Sequence, residues 1–125
     1  MRNNKASSTN SINKEFLKDC NLTYATLLIG GRWKLPLLVR IEKGARRFSD
    51  FKKLLPNITE RMLTLQLKEM ERDGLITRSV YMEVPLRIEY NLTELGKDLI
   101  PICIDLKKWG DKHKLVHGHK QPNNE

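Results

Sequence analysis

Two cysteines and three histidines are the softest nucleophiles and the best metal ligands in this chain. Cys20 stands just before a helix start, with Asn21 the expected N-cap of a helix beginning at Leu22. The positive end of a helix dipole favours a thiolate there, and Lys18 is close in sequence. Cys103 falls within a long apolar-periodic stretch, and such cysteines commonly just pack. His113, His117 and His119 form H-x3-H-x-H, and two histidines at i, i+4 can share a metal. The segment runs into GHKQPNNE, however, so residues 115–125 read as a solvated polar tail with no metal assigned. The chain lacks G-x-S-x-G, P-loop and H-E-x-x-H motifs and a two-cysteine zinc pair. Gly30-Gly31 has no strand-before-helix context and reads as a kink near Trp33. No catalytic constellation is present. The expectation is a non-enzyme without cofactors.

The cations are less evenly spread than the thiols and imidazoles. The chain has 125 residues, 23 Lys+Arg, 15 Asp+Glu and a net charge of +8. The first 59 residues hold 12 Lys/Arg against 4 Asp/Glu; the last 66 hold 11 of each. Arg32, Lys34, Arg40, Lys43, Arg46, Arg47, Lys52 and Lys53 crowd one segment that contains only Glu42 and Asp50 as acids. Such a focus suits a polyanion such as nucleic acid, although a charge run is as often only a solvated face. A second set lies on the stretch 60–73. At ~100° per residue, Arg61, Leu65, Lys68 and Arg72 share one face, opposite Leu63, Leu67 and Met70.

These residues need a frame. The length fits one domain able to bury a core without staples. No apolar run approaches a membrane span, no secretory signal is visible, and two cysteines read as free thiols. The expectation is a cytoplasmic protein without membrane contact. Residues 1–12 read as a disordered arm, and 13–114 as the folded domain. A short helix with Phe16 and Leu17 precedes Cys20. The stretch LTYATLLIGGRWKLPLLVRIEKG is apolar at Ala25, Leu28, Ile29, Trp33, Leu37, Leu38 and Ile41, the spacing of a buried helix. The glycines predict a break, Pro36 a first turn, and Gly44 a C′ position.

A short helix, Ser49–Leu55, follows, capped by Ser49 with Phe51, Leu54 and Leu55 inward. Thr59 caps a helix over Glu60–Asp73, with Ile58 and Leu63 at staple spacing. Leu75–Tyr81 and Arg87–Leu92 read as strands around an open tip containing Pro85. In the second, Ile88, Tyr90 and Leu92 alternate with polar residues, so one face is expected to be buried. Thr93 caps a long helix to about Lys114. On it Leu95, Leu99, Ile102, Leu106 and Trp109 step by four and three, a heptad-like seam suited to a second copy.

The order helix, helix, helix, strand, strand is that of a winged helix-turn-helix. The fold class expected is therefore α+β, mostly helical, with a two-stranded wing and a long C-terminal dimerisation helix. Residues near the start of the reading helix reach base edges: Thr59, Glu60, Arg61, Thr64 and Leu65. Arg61 suits guanine, Glu60 cytosine, and Leu65 a thymine methyl. Lys68 and Arg72 lie farther along and suit phosphate. Arg46, Arg47, Lys52 and Lys53 are supporting contacts, and Arg78 and Arg87 wing contacts. For each arginine the competing role is an ion pair, as with Glu89 beside Arg87.

The sequence resembles the HxlR-type family of bacterial winged-helix regulators. The resemblance rests on Cys20, LIGGRWKLPLL, RRFSDFKKLLPNIT, MLTLQLKEMERDGLI and VYMEVPLRIEYNLTELG, from Cys20 to about Trp109. It implies a homodimeric transcription factor on double-stranded DNA, joined through its N-terminal and C-terminal helices, with Phe16, Leu17 and the seam as interface. Leu65 stands where the family often has Gln, so an adenine contact is not carried over. In several members a cysteine at the position of Cys20 senses electrophiles or oxidants. Cys20 is thus a candidate redox switch, with Cys103 a candidate partner across the dimer, and a small reactive or ligand inducer a candidate partner. The alternative is a winged-helix module that docks protein. RNA binding lacks its aromatic platform, Tyr81 and Tyr90 aside.

Overall fold

The structure, a computed structural model, describes residues 20–118. The expected arm, Phe16, Leu17 and His119 lie outside the described residues. The chain divides into two units, Met1–Arg32 and Trp33–Glu125.

In the first unit, helix α1 spans Asn21–Ile29. Its N-cap is Cys20, not Asn21. Cys20 is extended, and its Sγ accepts the Thr23 N–H at 3.4 Å. Gly30 ends α1 in extended backbone, as the glycine pair suggests. The expected burial is not met: no residue of α1 is buried. Leu22, Tyr24 and Leu27 are exposed, and Ala25, Leu28 and Ile29 are half-buried. Apolar side chains lie all round α1, so no single face can take them all inward.

The second unit begins with α2, Lys34–Glu42. Pro36 falls in its first turn, where the missing N–H has no intrahelical acceptor to lose. Lys34, Leu37, Leu38 and Ile41 are buried at i, i+3, i+4 and i+7. Gly44 takes the C′ position at φ +116, backbone that favours glycine.

Helix α3 covers Phe48–Leu54, one residue earlier than expected, with extended Arg47 as N-cap. Ser49 does not cap it. The Asp50 carboxylate does, accepting the N–H groups of Arg46 and Arg47, each at 3.0 Å. Two amides to one carboxylate outcompete a single hydroxyl, and they hold Asp50 below the ordinary carboxylate range. Phe51 is fully buried, but Leu54 is exposed and Leu55 half-buried. A seven-residue helix turns one narrow stripe inward, and Phe51 occupies it.

Helix α4, Glu60–Arg72, starts at Thr59, whose Oγ1 accepts the Met62 N–H at 3.0 Å. Leu63, Leu67 and Met70 are buried, as is Ile58. Strands β1, Ile76–Tyr81, and β2, Arg87–Leu92, pair antiparallel from Ile76↔Leu92 to Tyr81↔Arg87. The clean alternation expected of β2 is absent: Tyr90 alone is buried and the rest are half-buried. A two-stranded ribbon has little to cover it. Tyr90 is covered because its ring meets Phe51 edge-on at 6.1 Å and its N–H reaches the Arg46 carbonyl at 2.8 Å.

Helix α5 runs Glu94–His117, three residues past the expected end at Lys114. His117 therefore stands on the same helix as His113, not in a tail. The last turn carries Lys114 and His117, cation types that suit a helix C-terminus. Thr93 ties α5 to the turn after α4. Its hydroxyl donates to the Gly74 carbonyl at 2.6 Å and accepts the Gly96 N–H at 3.0 Å. Gly96 lets α5 approach closely, since a Cβ there would overlap the Leu75 carbonyl oxygen. Among the described residues, no helix is long and apolar enough to cross a membrane.

Candidate nucleic-acid interface

Helix α4 carries the site. Its inner face is fixed by Leu63, Leu67 and Met70 in the core and by a buried ion pair. Lys34 Nζ of α2 lies 2.7 Å from Glu69 Oε1 of α4, with side-chain exposures of 10% and 28%. This pair was not foreseen. Lys34 completes the buried i, i+3, i+4, i+7 stripe of α2, and that pattern is the signal for it.

The outer face of α4 is open. Thr59, Arg61, Met62, Thr64, Leu65 and Lys68 line a shallow groove of about 610 Å3 that contains no acidic side chain. Leu65 is 45% exposed. Arg61 and Lys68 make no ion pair with any described residue. Glu60 is exposed in the first turn. Thr59 already accepts the helix-capping bond, which leaves its hydroxyl proton free to donate. A second hollow of about 400 Å3 lies beside the wing, lined by Phe48, Thr64, Lys68, Glu71, Arg78 and Tyr90. Lys68 and Thr64 thus border both, and Arg78 joins them from β1. Phe48, Glu71 and Tyr90 complete this hollow and were not among the expected contact residues.

The remaining cations divide. Arg87 is engaged within the wing: it pairs with Glu83 at 2.8 Å and Glu89 at 2.7 Å, and its guanidinium lies 3.8 Å from the Tyr81 ring centroid. These bonds raise the Arg87 pKa and lower that of Glu83. The ion-pair role wins, and Arg87 leaves the set of free wing contacts. Arg46 donates from Nη1 to the Ile41 and Ala45 carbonyls at 2.6 and 3.0 Å. Lys52 Nζ donates to the Ile58 carbonyl at 2.6 Å. Both hold backbone together and are half-buried, so neither is a free supporting contact. Arg47 and Lys53 are exposed and without an ion pair to a described residue. Arg72 is exposed but bonds to Asp73 at 3.1 and 3.2 Å.

A helix held rigidly from behind, open in front and cationic along that front, next to a hairpin, is built to enter a groove of a duplex. The HxlR-like helix-turn-helix family model matches residues 28–117, most of the chain. The chain belongs to the HxlR-like helix-turn-helix family. Membership makes it a DNA-binding transcriptional regulator of winged-helix fold. It is 46% identical over 114 residues to the HTH-type transcriptional regulator YdeP of Bacillus subtilis, covering 91% of this chain and 88% of that one. Among solved structures it is similar to the redox regulator HypR in two forms. The reduced form gives 43% identity, 78% of this chain, 96% of that one and a TM-score of 0.73. The oxidised form gives 45%, 74%, 96% and 0.70.

On α5, Leu95, Ile102, Leu106 and Trp109 are exposed and Leu99 is half-buried. Cys20 Sγ accepts the Thr23 hydroxyl at 3.1 Å as well as the Thr23 N–H. The hydroxyl bond, then the amide bond, push the Cys20 thiol below its ordinary range. Cys103 is the opposite case. It is 8% exposed, and burial pushes its thiol up. That is the setting of an inert packing cysteine, against the role expected for it as a redox partner.

Proposed function

We propose that the chain is a homodimeric repressor that sits on a two-fold-related operator. One α4 per subunit enters successive major grooves, about 10 bp apart or a multiple of that spacing. The observation that carries the reading is the acid-free outer groove of α4, where Arg61, Thr64, Leu65 and Lys68 stand open while neighbouring cations are engaged elsewhere. Arg61 reads guanine and Leu65 packs on a thymine methyl. Lys68, Arg78, Arg47 and Lys53 meet phosphate. Glu60 accepts from cytosine N4. The exposed seam Leu95, Ile102, Leu106 and Trp109 supports the dimer, since an apolar stripe of this length is seldom left in water. A protein-docking module has no use for so many open cations around one helix.

The signal input is Cys20. Its lowered thiol carries more thiolate than an ordinary cysteine at the same pH, and a similar structure is that of a redox regulator. Attack on a peroxide gives the sulfenate and releases the alcohol; attack on a quinone forms a thioether adduct. Either shifts the relative angle of the two reading heads.

A salt titration of operator binding tests the reading. DNA binding gives a log–log slope of several units, reduced by about one in Lys68→Ala and unchanged in Arg87→Ala. No sequence-preferring complex on any genomic DNA at low salt, with reduced protein, removes it. Sedimentation at micromolar concentration gives about twice the chain mass of 14.6 kDa; a monomer contradicts the dimer. Equal loss of operator affinity after diamide in the parent and in Cys20→Ser removes Cys20.

A further inference from the structure

Helix α5 ends in an aromatic ladder that DNA reading does not use. Trp109 and His113 stack with ring centroids 5.3 Å apart, and His113 and His117 with centroids 5.0 Å apart. The three residues are spaced by four, so they climb one face of the helix. At ~100° per residue that face is the seam itself: Leu106, Trp109, His113 and Val116 continue the steps of three and four. Lys107, Lys108, Lys112 and Lys114 fall outside this strip. Asp111 and Lys107 pair with each other at 3.3 Å away from it. The two imidazoles are therefore neighbours, exposed, in the last turns of α5, and without a lysine on their own face.

Imidazole pairs at i, i+4 are a chelating geometry for borderline divalent metals, with nitrogen-to-metal bonds of about 2.0–2.1 Å. With rings this close, side-chain rotation alone can bring one nitrogen from each to a single ion. We propose that His113 and His117 form a binding site for a divalent transition-metal ion of the imidazole-preferring class, such as Ni2+, Cu2+ or Zn2+. The pair supplies two ligands and solvent the rest. The site is complete within one helix. A second consequence rests on the dimer reading above: an ion here sits on the same strip as the seam, so its occupancy and dimerisation are linked.

The probe is Ni2+ titrated into the full chain, read by calorimetry and by quenching of Trp109 fluorescence. The expected result is saturable binding that quenches Trp109. It weakens tenfold or more in His113→Gln and in His117→Gln, and changes less than twofold in His119→Gln. Absence of saturable binding below millimolar Ni2+ overturns the site. So does binding that survives both single substitutions, or that falls as far in His119→Gln. Sedimentation with and without Ni2+ reads the linkage separately. A chain that stays monomeric yet binds Ni2+ through His113 and His117 keeps the site and removes the dimer reading.

Discussion

Removing one partner of the Lys34–Glu69 pair should expose how firmly α4 is held. The two sides are unequal. Glu69→Ala leaves the Lys34 ammonium alone at 10% side-chain exposure, with Leu37, Leu38 and Ile41 along the same helix face. Breaking a buried pair by deleting one ion costs about 3–5 kcal/mol. The partial exposure here places Glu69→Ala at the low end, about 3 kcal/mol. Lys34→Met removes the buried ion, keeps most of the aliphatic stem, and leaves a Glu69 that is 28% exposed and can turn to water. Its cost should be about 1 kcal/mol. Combining Lys34→Met with Glu69→Ala removes both charges. It should cost no more than Glu69→Ala alone, giving a coupling of about 1–3 kcal/mol.

The assay is urea unfolding of all four proteins, with the midpoint read at constant m-value. Operator affinity is measured beside it, because α4 is both the element released and the reading helix. The ordering tests the argument better than any single value. Lys34→Met costing more than Glu69→Ala would refute the asymmetry, and additive single effects would refute the coupling.

Other substitutions probe single features. Gly96→Ala forces a methyl against the Leu75 carbonyl and should lower stability by about 2 kcal/mol. Gly110→Ala meets nothing within 4 Å in mid-helix and should raise it by about 0.5–1 kcal/mol, both read as thermal midpoints. Asp50 has a depressed folded pKa. Its contribution is full above the unfolded carboxylate value of about 4 and fades as pH falls toward the folded one. Asp50→Asn should therefore flatten the acid limb of the stability curve, and an unchanged limb would exclude the amide bonds as the cause. At neutral pH iodoacetamide should label Cys20 well before Cys103, and Thr23→Val should slow the Cys20 reaction by removing its largest stabilising bond. Equal labelling of the two thiols would contradict their opposite shifts.

The elements with strong periodicity or a capping residue were legible in the sequence. Thr59 and Thr93 cap as expected, Gly44 closes α2, and Leu63, Leu67 and Met70 face inward. What was not legible is competition between acceptors for the same donors. Ser49 and Asp50 could each cap α3, and nothing local says that the backbone before the helix will offer Asp50 two amides. The same competition reshapes the charge. Eight cations between residues 32 and 53 read as one patch. Three-dimensional neighbours then claim Lys34 for Glu69, Arg46 for two carbonyls and Lys52 for a third. A carboxylate two residues away in sequence claims Arg87.

Net charge therefore overstates the cationic surface open to a partner, because it weighs a cation that holds backbone together as heavily as one that faces solvent. The correction strengthens the functional reading instead of weakening it. The engaged cations fasten α2, α3 and the wing, the elements that aim α4. The open ones, Arg61 and Lys68 with Arg47, Lys53 and Arg78, are the cations that the proposed function assigns to the nucleic acid. Two classes of basic residue follow, separable by one experiment. Substitution in the first class should lower stability and leave the salt dependence of operator binding alone. Substitution in the second should leave stability alone and shrink the salt slope.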